Sequence, residues 1–274
     1  MIDIEKAYGT FNEYIKNYNP EQPKINIKID HIKRVADTSK DLATKLGLSK
    51  EDVELAQLIG LLHDIGRFEQ IKIYNTFNDG KSINHGEFGA KILFEDGLIR
   101  KFIEDDQYDN IIKTAIVNHN KNKIQDGLNE RELLHAKIIR DSDKTDIYKV
   151  LSTEDIGVCY ETKDMSKEII SQEIYREFME DHSINYKNRK SSADTLVCHF
   201  AYVFDYNFDY GLQLLLDNKY IDNLYKRFEF EDDKTKKMCD EIYIATKEYI
   251  YNKLKKWINK KQEEKGSKKW AKNY

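Results

Sequence analysis

An all-α fold is what this sequence predicts, and three observations predict it. Only two prolines occur in 274 residues, Pro20 and Pro23, so from there to Tyr274 no residue forbids helix. Apolar side chains recur at three-to-four spacing along most of the chain. No run of strand-like alternation persists between turn signals. At roughly 100–200 residues per domain, the length fits one large domain or two small ones. Either way it suffices for a core that needs no disulfide or metal staple.

The elements follow in order. Ile27 to Leu46 carries Ile32, Val35, Leu42 and Leu46 on one stripe, with Gly47 placed as a C-terminal stop. Ser49 and Asp52 form a weak capping box, and behind them Val53, Leu55, Ala56, Leu58, Ile59, Leu61 and Leu62 crowd together. A helix apolar nearly all round belongs in the centre of a fold. Further helices are expected at about 85–95, 107–119 and 131–151, each end uncertain by about 2–4 residues. Polar stretches from Lys72 to Asn84 and from Asn120 to Asn129 read as loops. The second half repeats the helical signal near 167–181, 192–206, 211–228 and 232–262. There is no internal repeat and no Gly/Ser linker; residues 152–166 are the softest junction. The expected division is a core at 1–151 and a helical extension at 152–274, packed on the core or separate from it.

Composition excludes several functions. Forty-five basic against 49 acidic side chains leave a net charge of −4, too balanced to argue for a nucleic-acid binder. The longest apolar run, Leu58 to Leu62, is far short of the ~18 residues of a membrane span. The first residues lack a basic stretch followed by an apolar one. Cys159, Cys198 and Cys239 make no CxxC pair, which argues against both a disulfide framework and a thiolate zinc site. A cytoplasmic protein is the expectation. Between Lys253 and Lys272 lie nine lysines and two acids, read first as a solvated helix end and second as an attractor of anions. Tyr202, Phe204, Tyr206, Phe208 and Tyr210 read as helix packing, with a wall that stacks a nucleobase as the alternative.

The chemistry rests on histidine. Of seven, His63 is followed by Asp64 directly after the buried helix, where unpaired polar groups cost a few kcal/mol each. Metal coordination is one answer to that cost. His31 sits on the preceding helix, His85 opens a helix, and His119 closes one. Asp141 lies on a helix whose other face carries Leu134, Ile138 and Ile139. His135, His182 and His199 match no such pattern and read as ordinary hydrogen-bonding residues.

The series His31, His63-Asp64, His85, His119, Asp141 resembles the HD superfamily of metal-dependent phosphohydrolases. The surrounding text, LLHDIGRFE, NHGEFGAKIL, AIVNHN and RDSDKTD, is similar as well, and the resemblance covers roughly residues 25–150. It implies an HD-domain helical bundle with the site between five helices. His31, His63, Asp64 and Asp141 would hold one metal; His85 and His119 would hold a second, with Asp64 bridging. Imidazole and carboxylate donors without thiolate suit Fe, Mn, Co, Ni or Zn. Two such ions about 3.5–4 Å apart activate a bridging water and polarise a phosphoryl oxygen. Lys144, three residues beyond Asp141, would share its helix face and contact phosphate, as would Arg67 after the His-Asp pair.

Arg67 also marks departures from known branches. The cyclic-dinucleotide phosphodiesterases carry lysine there and a later GYP motif, which this chain lacks. The deoxynucleotidases carry glutamate there; here the nearest acid is Glu69. The implied activity is hydrolysis of a phosphate ester of a nucleotide or related small metabolite by a metal-bridging hydroxide. Two rivals stand beside it: a diiron oxygenase of the same clan, cleaving C–C or C–P bonds, and a catalytically silent ligand-sensing module.

Overall fold

In the computed structural model, residues 2–160, 162 and 164–270 are described, with side chains as far as Lys255. Most of the lysine-rich tail, 256–272, therefore has its side chains outside the described residues. All regular structure among the described residues is helical, as the sequence predicts. None of these helices is long and apolar enough to cross a membrane. Contacts divide the chain into two compact units, Met1–Val150 and Leu151–Tyr274.

Unit one opens with α1 (Ile4–Ile15), capped by the Asp3 carboxylate on the Lys6 amide. Periodicity alone does not single this helix out, yet Ala7 and Phe11, one turn apart, are both buried. Helix α2 (Pro23–Lys45) starts on a proline at its first turn, where the missing N–H costs nothing. Ser49 caps α3 (Lys50–Leu62), whose last eight residues are all buried. It is the central helix that its apolar circumference predicts.

Immediately after it comes α4 (Ile65–Tyr74), which takes in Lys72 to Tyr74 and so shortens the expected loop. Left-handed Asn75 (φ 51°) stops it. A single 3-10 turn, Asp79–Lys81, interrupts the loop that follows. Asn84 caps α5 (His85–Ala90), which runs on through a π-helical turn, Lys91–Glu95. A short α6 (Ile99–Phe102), α7 (Asp109–His119) and α8 (Glu130–Thr153) complete the series. Ile32 and Val35 of α2, Leu58 and Leu62 of α3, Ile112 and Ile116 of α7 and Ile139 of α8 share one core.

Two glycines set how closely these helices approach. A Cβ on Gly60 of α3 would lie 2.6 Å from the Ala36 Cα of α2. One on Gly66 of α4 would lie 2.5 Å from the His85 carbonyl oxygen, where α5 begins. Both contacts are with backbone, which cannot swing aside as a side chain can.

Unit two contains α9 (Ile156–Tyr160), α10 (Gln172–Arg176), α11 (Ser192–Phe200), α12 (Asp209–Asp217), α13 (Tyr220–Tyr225) and α14 (Asp233–Trp270). Two expected helices differ from prediction. Residues 167–171 are not helical: Asp194 accepts from the Ser171 amide and the Ser191 hydroxyl donates to the Ile169 carbonyl, which fastens this strip to the start of α11. The helix expected over 211–228 breaks in two, because Lys219 adopts a left-handed conformation (φ 56°). Of the aromatics near 202–210, Phe204 packs on Phe178 and Tyr249.

The glycine contacts give a paired prediction. Gly60→Ala should lower unfolding free energy by about 1–3 kcal/mol through overpacking. Gly9→Ala, exposed in α1 with nothing within 4 Å of the new methyl, should raise it by about 0.5–1 kcal/mol. Urea denaturation of the two variants checks both signs.

Candidate metal centre

Four helices deliver four imidazoles to one point in unit one. His31 comes from the middle of α2, and His63 forms the C-cap of α3. His85 is the first residue of α5, and His119 the last of α7. Their rings are neighbours: centroids lie 5.4 Å apart for His31 and His63, 5.2 Å for His63 and His119, and 4.8 Å for His85 and His119. All four are buried.

Each ring is turned the same way. The Nδ1 of His63 donates to the Gly60 carbonyl (2.8 Å) and that of His119 to the Ile116 carbonyl (2.6 Å), both one turn back on their own helices. The Nδ1 of His31 faces Asp146 Oδ2 (2.8 Å), and that of His85 faces Asp79 Oδ2 (2.6 Å). Since carbonyl and carboxylate oxygens only accept, these contacts fix the proton on Nδ1 and leave Nε2 for the shared interior. Asp146 is itself fastened by Arg34, whose Nε and Nη2 lie 2.6 and 2.9 Å from its two oxygens.

Asp64 lies among the Nε2 atoms. It is the N-cap residue of α4, a position where aspartate ordinarily accepts a nearby amide, yet its side chain makes no cap. Its oxygens divide instead. Oδ2 lies 3.5 Å from both His31 Nε2 and His63 Nε2. Oδ1 lies 3.4 Å from His85 Nε2 and 3.6 Å from His119 Nε2. A second carboxylate, Asp143 of α8, places Oδ1 3.1 Å from His31 Nε2 and 3.6 Å from His63 Nε2.

That second carboxylate corrects the reading of the sequence. Asp143, not Asp141, shares the donor clusters. Two residues along a helix are separated by about 200°, so only one of the pair can face the histidines. Lys144 was expected to share the ligand's face because it follows Asp141 by three; it stands about 100° round the helix from Asp143, and that reason lapses. Lys144 is buried on α8. Glu69 is committed elsewhere, accepting from the Tyr18 hydroxyl (2.7 Å) and Lys72 (3.1 Å).

Arg67 stands beside the cluster. Its Nη1 donates to Gln70, the Phe77 carbonyl and Asp79, while its buried Nε lies 3.6 Å from Asp64 Oδ1 with no hydrogen-bond partner. Lys28, unnoticed in the sequence although it precedes His31 by one helical turn, puts its ammonium 2.5 Å from Asp64 Oδ2. The remaining histidines have other partners: Asp52 for His135, Tyr160 for His199 and the Phe204 ring for His182.

Do these donors fit a metal? The Nε2 atoms of His31 and His63 and Oδ1 of Asp64 are buried with no hydrogen-bond partner, an arrangement that costs a few kcal/mol unless something binds them. Ligands about 2.1 Å from one ion lie about 3.0–3.4 Å apart in octahedral or tetrahedral geometry, close to the spacings seen. Nitrogen and carboxylate donors without sulfur suit a divalent transition ion. Three overlapping groups could hold one: His31, His63 and Asp64; His63, His119 and Asp143; Asp64, His85 and His119.

Electrostatics point the same way. Burial and Lys28 oppose a charged His31, but Asp143, Asp146 and Asp64 outweigh them and raise its pKa to about 10. Burial and Arg67 push His85 down to about 3, against the pull of Asp79. Burial also opposes ionised Asp64, yet Lys28 and the imidazoles hold it well below the usual carboxylate range. Asp143 is held low by His31 and His63. The His31 slot thus attracts a cation, and in the metal-free protein a proton takes that part. Metal binding near His31 should therefore expel about one proton at pH 7, and affinity should fall about tenfold per pH unit from pH 9 to 6. Calorimetry in buffers of different ionisation enthalpy counts the protons; none released would contradict this assignment.

No curated protein and no solved structure matches the chain. A family match exists nonetheless, and it is to the HD domain, over residues 29–148, the span that holds every side chain of these donor groups.

Proposed function

We propose that the protein is a metal-dependent phosphohydrolase acting on a phosphate ester of a nucleotide or related small metabolite. The observation that carries this reading is the division of the Asp64 carboxylate, one oxygen between His31 and His63 and the other between His85 and His119. That is the arrangement of a bridging ligand. In this reading His31, His63, Asp64 and Asp143 would hold one ion, and Asp64, His85 and His119 would hold the other. Such a pair supplies Lewis acidity and activates water at neutral pH.

The chain's own residues do the rest. Asp146 and Asp79 hold the Nδ1 atoms of His31 and His85, which keeps both imidazoles aimed inward through Nε2. Arg67 contributes fixed positive charge beside Oδ1 of Asp64, and three acceptors on its Nη1 hold it in place. An anion brought to the carboxylate-rich centre needs such compensation. No acid stands at the Arg67 position to take a proton from water, so proton removal is not assigned to a side chain there.

Purified protein loaded in turn with Mn, Co, Ni, Fe and Zn should release phosphate from at least one phosphoester in a panel of mononucleotides, dinucleotides and aryl phosphates. Asp64→Ala should abolish release and lose both ions by elemental analysis. His119→Ala should lose mainly one. Dioxygen-dependent turnover of the iron form without phosphate release would contradict the reading and favour an oxygenase. Full metal loading of Asp64→Ala would contradict the site.

A further inference from the structure

Lys28 has no part in the ligand sets just described, and its surroundings are unusual for a surface lysine. Its side chain is 15% exposed and its ammonium lies 2.5 Å from Asp64 Oδ2, the oxygen between His31 and His63. Among the described residues Asp64 is its one hydrogen-bond partner. An ammonium has three donors, so two are left for something else. The ring of Phe77 lies 5.4 Å from Nζ and 5.5 Å from the Arg67 guanidinium. Phe77 therefore neighbours two cations, one beside each oxygen of Asp64.

The two cations differ in freedom. Arg67 is tied through Nη1 to a side-chain amide, a backbone carbonyl and a carboxylate. Lys28 is tied only to an oxygen that a metal ion would claim. A divalent ion on Oδ2 repels the ammonium and competes with it for the same lone pairs. The flexible four-carbon stem lets Nζ retreat, while its Cα stays fixed one turn from His31.

We propose that Lys28 is a phosphate-binding residue: metal entry displaces its ammonium from Asp64 Oδ2, and the released donors take the oxygens of the phosphoryl group held at the centre. This rests on the hydrolase reading. It also places on Lys28 the phosphate contact expected of Lys144.

The test is calorimetry with two probes, Mn2+ alone and inorganic phosphate on the Mn-loaded protein, applied to wild type, Lys28→Met, Lys28→Gln and Lys28→Arg. Removing a charged hydrogen bond should weaken phosphate binding about 10- to 100-fold in the Met and Gln variants, and the Arg variant should stay within a few-fold of wild type. Mn2+ should bind the Met variant as tightly as wild type or more tightly, because the competitor for Oδ2 is gone. Phosphate affinity unchanged in Lys28→Met overturns the proposal alone. So does Mn2+ affinity that falls with it, since Lys28 would then merely support the carboxylate. Absence of phosphate binding and of phosphoester turnover in wild type overturns the hydrolase reading, and the proposal with it.

Discussion

A carboxylate buried to 2% exposure, that of Asp64, is the constraint around which unit one is arranged. Taking an ionised carboxylate out of water costs several kcal/mol even after the protein relaxes. The usual local remedy, capping the helix it begins, is not used. Compensation comes instead from four imidazoles on four other helical segments and from Lys28. Because no two of these partners are neighbours on the same helix except Lys28 and His31, the helices must pack closely for the charge to be tolerated. Gly60 and Gly66 permit that closeness.

A second layer turns the four histidines the same way, each with Nδ1 held and Nε2 facing the interior. His63 and His119 sit at helix ends, where a carbonyl one turn back lies free to accept Nδ1. His31 and His85 lack that opportunity and borrow carboxylates, Asp146 and Asp79, each gripped by an arginine. The outcome is an anchored Nδ1 four times, reached by two routes. Arg34 and Arg67 thus act on the centre through the acids that they hold, and Arg67 acts also through its position beside Asp64.

The positions of the helices that build the centre were readable because their signals are local. The crowding of Leu55 to Leu62 announces a buried helix, and Ser49 announces where it starts. His63-Asp64 follows directly, so its place at the end of that helix needed no tertiary information. RDSDKTD offers several acids, and only helix phase against the core separates Asp143 from Asp141: Ile139, four residues before Asp143, lies in the core. Asp79 was invisible. It lies in a polar loop without periodicity, and only folding carries it to His85. Lys28, one turn before His31, had a signal that could have been used. In unit two, the break at Lys219 and the non-helical strip at 167–171 depend on a left-handed residue and on bonds to α11, neither of which leaves a mark in apolar spacing.

Two ion sites joined by Asp64, one of them completed by Asp143, would make a dinuclear centre. Anomalous diffraction from crystals of the protein grown with Mn2+ or Zn2+ tests it most directly. Two anomalous peaks on either side of the Asp64 carboxylate are predicted, one within bonding distance of His31, His63 and Asp143 and the other of His85 and His119. A single peak remote from Asp64, or an ion ligated by Asp141 in place of Asp143, would contradict the account.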